Sequence, residues 1–178
     1  MKLKNLKIVT CIITISLAFL THHIYSWFPN IFTSIFFPVN ESIWEHMKML
    51  YTTIIIGEFI AYFIIKYFKI KTNNFLLTVS IKAFVSIPIF LIIYLPIYYI
   101  FGENMFINIT VMIVTLIIVE IISYYLLKFK PIKYGAVSAI IFIIICYIGL
   151  AVMTFYPLKN TLFYDTKNHS YGINTYEI

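Results

Sequence analysis

Charge is what this sequence has least of. Asp, Glu, Lys and Arg make up 11% of its 178 residues, while 62% are hydrophobic and the mean hydropathy is +0.94. A soluble domain of this size must cover its surface with polar groups, and too few are present to do so. The class that remains is a membrane-embedded chain, whose apolar exterior lipid tolerates. Arginine is missing, and all 13 basic residues are lysines. With abundant Ile, Phe, Tyr and Asn, that bias suits an AT-rich bacterial genome. The two cysteines, Cys11 and Cys146, fall inside apolar stretches. They form neither a disulfide framework nor a metal spacing and read as small buried hydrophobes. No H-E-x-x-H zinc string occurs.

What the chain does have is long apolar runs. A span needs about 20 mainly apolar residues. Five runs qualify, at 7–25, 47–68, 75–101, 105–129 and 135–157. An apolar segment at 31–38 is too short to cross and is expected to lie along the interface. Residues 158–178 form an outer tail. The expected fold is one all-α domain over residues 1–178, a polytopic helical bundle of five transmembrane helices in a bacterial cell membrane.

The lysines orient it. Lys2, Lys4 and Lys7 precede the first span, Lys66, Lys69 and Lys71 follow the second, and Lys128, Lys130 and Lys133 follow the fourth. The alternate connections hold Glu41, Glu45, Lys48 and Glu103, and the tail holds Lys159, Asp165, Lys167 and Glu177. Lysine-rich even-side connections give an N-in, C-out topology. The net charge of +6 is thus a set of topology signals and no nucleic-acid surface. Ile8–Leu20 behind a basic start also resembles a signal-peptide core, but no A-x-A-like site follows, which favours an uncleaved first helix.

Sliding the sequence by 62 positions aligns Glu41–Lys71 with Glu103–Lys133 without a gap, with ten identities in 31 positions. The informative matches are Glu41/Glu103, Glu58/Glu120, Tyr62/Tyr124, Lys66/Lys128 and Lys71/Lys133. A duplication would make spans two–three and four–five parallel repeats. Convergence is the alternative, since Tyr and Lys suit any cytoplasmic interface. Gly57–Ala61 and Gly135–Ala139 are small-xxx-small pairs that favour close helix contacts.

Three charges fall inside spans. Glu58, Lys82 and Glu120 lie roughly 10–15 Å deep at 1.5 Å per residue. An unpaired charge there costs on the order of 3 kcal/mol or more. A common depth on three helices points to mutual pairing. One lysine cannot neutralise two carboxylates, so a protonated Glu or a bound cation is expected. One reading is a proton- or cation-linked site, which Pro88 and Pro96 suit if they break span three. The other is a buried ion pair that fixes helix register.

The densest polar stretch, Asn40 to His46, opens span two on the outer side. Asn40 or Ser42 can cap the helix, with Ser42 and Glu45 spaced as a capping box, and Trp44 suits the aromatic belt. At 100° per residue, His46 lies about 140° from Glu41 on a regular helix. That angle makes a Glu41/His46 chelate poor, so no metal or other cofactor is expected. His22 or His23, at the outer end of span one, could join the acids.

The strings H-x-x-Y-x-W at His22, Tyr25 and Trp27, V-N-E-S-x-W-E-H at Val39–His46, and L-F-x-D…Y-G-I at Leu162, Phe163, Asp165, Tyr171, Gly172 and Ile173 resemble a family of small uncharacterised multi-pass membrane proteins of Gram-positive bacteria. Relatives tend to have Pro soon after the second string, where this chain has Thr52-Thr53. The resemblance implies membrane class and topology and carries no activity. By the lysine count all three strings emerge on the outer side, where the tail, with Thr161, Asp165 and Tyr171, could fold back over the others. The candidate outer site is therefore His22, Asn40, Glu41, Trp44, Glu45, His46 and Asp165. Expected functions are binding or conduction of a cation, proton or small solute; an intramembrane enzyme acting on a lipid or peptide; or a scaffolding subunit. The bilayer is the expected partner, with a homo-oligomer or a membrane partner as further expectations.

Overall fold

Residues 1–173 are described by a computed structural model; residues 174–178, with Glu177 among them, lie outside the described residues. Six helices follow in order: α1 (Leu3–Trp27), α2 (Ile31–Phe36), α3 (Ile43–Phe68), α4 (Phe75–Phe101), α5 (Met105–Leu126) and α6 (Gly135–Phe155). All but α2 are long and apolar enough to cross a membrane. The fold is an all-α polytopic membrane bundle. A two-residue antiparallel pair, β1 (Tyr164–Asp165) and β2 (Ser170–Tyr171), shapes the tail.

The helices start where side chains satisfy their free amides. Asn30 and Thr33 form a reciprocal capping box on α2, and the Asn104 carboxamide accepts from the amides of Phe106 and Ile107. On α3 the Ser42 hydroxyl accepts from Glu45 N at 3.3 Å. The Glu45 carboxylate goes instead to Val39 N at 3.1 Å, so only half of the expected box forms there. The short helix α2 lies where an interfacial segment was expected. Its Ile31 and Phe32 are exposed, while Thr33 and Ser34 are buried against the bundle.

α1, α3, α4 and α5 close a four-helix ring, each packing on the next and α5 returning to α1. α6 sits outside it against α4 and α2. The core inside the ring is built from side chains such as Leu50, Ile54, Phe90 and Leu116. Helix α4 is continuous through Pro88 and Pro96, so the broken-helix reading of these prolines does not hold. On the lysine-rich side, Asn73 and Asn74 stitch the two connections together. Asn73 N donates to Leu127 O at 2.9 Å, and the Asn74 carboxamide oxygen accepts from Ile132 N at 2.8 Å.

The 62-residue register reappears in the fold, since α3 begins at Ile43 and α5 at Met105. These two occupy opposite positions in the ring. Their sequence partners α4 and α6 do not, because α4 is a ring member and α6 is peripheral.

Candidate functional site

The outer ends of α1, α3 and α5 enclose a cavity of about 430 Å³. Its polar wall carries His22, Glu41, His46, Glu103, Asn108 and Lys167; its apolar wall includes Ala18, Phe19, Met49, Met105 and Met112. Three of the polar groups converge. His22 Nε2 lies 3.4 Å and His46 Nε2 3.7 Å from Glu41 Oε2, and one donor atom from each of the three lies within 4.8 Å of the others. Glu41 and His46 are not held apart by helical angle, contrary to expectation. Helix α3 begins at Ile43, so Glu41 precedes it and does not follow the helical phase. The two residues meet because the chain turns into the cap between them.

His46 is oriented by the same cap. Its Nδ1 lies 2.9 Å from Ser42 O, and a ring nitrogen facing a carbonyl oxygen donates to it. In the neutral ring Nε2 is then the acceptor. It looks at a carboxylate oxygen, which is also an acceptor, and only a proton or a cation between them makes that contact favourable. Glu41 lies outside the membrane-spanning helices. The hydrogen bond from His22 holds its carboxyl down at about 2, against the opposing effect of burial and with help from His46 and Lys167. Glu103 behaves in the opposite sense: although the residue is largely exposed, the partial desolvation of its carboxyl, with Asp165 and Glu41 nearby, raises it from its ordinary value against the effect of Lys167.

The remaining outer candidates do other work. Glu45 is buried against Lys48 at 2.6 Å and accepts from the Thr154 hydroxyl at 2.7 Å. Lys48 in turn donates to Ser34 O, which ties α2, α3 and α6 together. Asp165 accepts from Lys167 N, Asn168 N and the Asn168 carboxamide, and so closes the tail hairpin. Asn40 donates to Gly172 O at 2.9 Å, and Trp44 stacks on Phe163 at 4.7 Å. The tail does fold back over the cap, but of its residues Lys167, rather than Asp165, reaches the cavity.

Deeper in the bundle, each helix of the ring contributes one charge, alternating in sign: Lys7 from α1, Glu58 from α3, Lys82 from α4 and Glu120 from α5. Lys7 lies 3.1 Å from both Glu58 and Glu120, and Lys82 lies 2.7 Å from Glu58 and also contacts Glu120. The Thr10 hydroxyl donates to Glu120 as well. The expected pairing of Glu58, Lys82 and Glu120 is present, but the expected charge deficit is not. Lys7, counted among the flanking lysines, is 5% exposed and makes the quartet neutral.

A model of the "Family of unknown function (DUF6512)" matches residues 2–173. The chain belongs to the DUF6512 family. No curated protein matches it. No solved structure matches it. Nearly the whole of this DUF6512 chain lies within the match, including the outer cavity and the quartet. Two signals for site residues were already in its sequence. The 62-residue register paired Glu41 with Glu103, and both line the cavity; it paired Glu58 with Glu120, and both enter the quartet. Lys167 carried no such signal, because its approach to Glu41 at 3.8 Å depends on the fold of the tail.

Proposed function

We propose that this DUF6512 protein is a membrane metalloprotein with one divalent transition-metal site, held by His22, Glu41 and His46 on the extracytoplasmic face of a bacterial cell membrane. The observation that carries this reading is the opposed pair of acceptors, His46 Nε2 and Glu41 Oε2, 3.7 Å apart with His22 Nε2 alongside. Two bonds of about 2 Å at a tetrahedral angle separate their donor atoms by about 3.3 Å, so the two contacts to Glu41, at 3.4 and 3.7 Å, need only a small contraction to bind. Imidazole nitrogens with one carboxylate suit zinc and its neighbours rather than calcium or magnesium. The Ser42 carbonyl on His46 Nδ1 is the kind of outer contact that orients a ligating imidazole. Three protein ligands leave a fourth position free, the pattern of catalytic rather than structural zinc. This reading replaces the expectation of no metal, and the lysine count supports the outward orientation.

Proton- or cation-linked conduction through Glu58, Lys82 and Glu120 has less support, because Lys7 removes the charge imbalance on which it rested. The register shared by α3 and α5, with its matched acids, supports a duplication of at least that helix.

The test is zinc titration of the detergent-purified, chelator-stripped protein by calorimetry. One zinc per chain is expected. His22→Ala and His46→Ala should each weaken binding by more than the about 10–100-fold typical of losing an outer-shell partner. Equal zinc binding by wild type and both variants, or none by wild type, overturns the reading.

A further inference from the structure

The cavity beside this cluster has two chemically different ends. The polar end holds the three proposed ligands with Glu103 and Lys167; the deep end is closed by Ala18, Met49 and Met112, which are buried. Two apolar side chains of the cavity wall are exposed. Phe19 on α1 is 46% exposed and Met105 on α5 is 73% exposed, and both are apolar surface at the level of the outer leaflet. The seam between α1 and α5 is also where the second groove lies, at the other end of the same helices. It is the place where the ring is least tightly closed. A polar end with charged groups, a slot lined with methionine, and exposed apolar side chains on α1 and α5 at its wall together fit an amphiphile arriving from the bilayer. They do not suit a solute arriving from water. At about 430 Å³ the cavity is of the size that takes a small molecule or one acyl segment.

We propose that the site hydrolyses the acyl ester of an amphiphile from the outer leaflet, with Glu103 as general base; this rests on the metal reading above. Among the described residues, Glu103 is the one carboxylate of the cavity wall outside the ligand cluster. It stands immediately before Asn104, the cap of α5, and is exposed rather than locked in a structural pair. In the reaction Glu103 takes a proton from the attacking water, whose acidity the metal raises. The water oxygen bonds to the acyl carbon, the bond from that carbon to the alcohol oxygen breaks, and Glu103 returns the proton to the departing oxygen. The products are a carboxylic acid and an alcohol, and water is the only co-reactant. Phosphoester cleavage commonly uses two metals about 3.5–4 Å apart. Among the described residues only one metal-competent group is present, which favours the carbonyl substrate.

The experiment compares zinc-loaded wild type with Glu103→Gln on two fluorogenic esters, umbelliferyl acetate and umbelliferyl laurate. Glu103 is exposed, so the variant should fold, and its zinc affinity is measured alongside as a control. Zinc-dependent hydrolysis favouring laurate is expected, with a loss of about 100-fold or more in the variant at unchanged zinc affinity. Ile109 of α5 also lines the apolar wall, and narrowing it with Ile109→Trp should slow laurate more than acetate. Zinc bound without hydrolysis overturns this inference alone, as does a variant as fast as wild type or an acetate rate equal to that on laurate. Failure to bind zinc overturns the metal reading and this inference with it.

Discussion

Lys7 and Glu58 stand 51 positions apart in the chain and 3.1 Å apart in the fold, buried inside the bundle. Their contact joins the start of α1 to the half of α3 nearer its lysine-rich end and completes the alternating quartet with Lys82 and Glu120. Each acid touches both lysines, so the four helices share one electrostatic lock. The quartet ties all four ring helices together at a level away from the cavity, whose lining includes none of its members.

Removing one member should cost far more than the pair is worth. Lys7→Gln leaves two carboxylates facing one ammonium, and breaking a buried pair from one side typically costs about 3–5 kcal/mol. The double variant Lys7→Gln/Glu58→Gln restores neutrality and should recover much of that loss. Unfolding of the detergent-solubilised protein, followed by circular dichroism, checks both. A double variant less stable than Lys7→Gln by the full effect of Glu58→Gln alone would refute the coupling.

Much of the bundle could be read from composition alone, because a span is a local property: some twenty apolar residues between polar ends. The starts of α4, α5 and α6 at Phe75, Met105 and Gly135 were legible for that reason. The ends at Leu3 and Ile43 were not. Lys4 and Lys7 look like flanking charges in sequence, yet they lie within α1, because the quartet supplies Lys7 with partners that only the fold brings near. The outer site was half legible. Glu41 and His46 stood out as a polar cluster, but a regular-helix angle separated them, and the cap at Ser42 that brings them together depends on one or two residues of helix boundary. Asp165 and Glu45 were attractive for being acidic; their hydrogen bonds show that they serve the tail and the α2–α6 contact.

Close approach of α1 to α3 depends on Gly57. A β-carbon there would lie 2.5 Å from the Thr14 hydroxyl oxygen, and that hydroxyl is already committed to Thr10 O at 2.8 Å. Gly57→Ala should destabilise the bundle by about 1–3 kcal/mol, the usual cost of overpacking. Gly149→Ala, with open space around it, should have little effect. Thermal unfolding of the two variants side by side tests the contrast, and equal stability of both would refute it.

The tail is held by Gly172. Its φ of +62° favours glycine, and a β-carbon would lie 2.5 Å from the Thr154 carbonyl oxygen. Its own carbonyl accepts from Asn40, and the next amide, Ile173 N, donates to Thr154 O at 3.1 Å. Gly172→Ala should release the tail, withdrawing Lys167 from Glu41 while leaving the helices in place. Faster limited proteolysis within residues 158–173 at unchanged helical circular dichroism is the expected result. Unchanged cleavage would show that the clamp lies elsewhere.

The metal-free protein should report the His22–Glu41 contact through acid. The Glu41 carboxyl is depressed from an ordinary 4.5 to about 2, chiefly by the His22 hydrogen bond. A carboxyl depressed in the folded state adds stability that is fully present above its unfolded value and fades as pH falls through its folded one. The contribution is therefore complete above about 4.5 and lost by about 2. His22→Gln removes most of it. The melting temperature of wild type should exceed that of the variant at pH above about 4.5, and the gap should close as pH approaches about 2. Because both proteins carry the same remaining carboxylates, general acid unfolding cancels in the difference. A gap that stays constant across that window would place the value of the contact in packing rather than in charge.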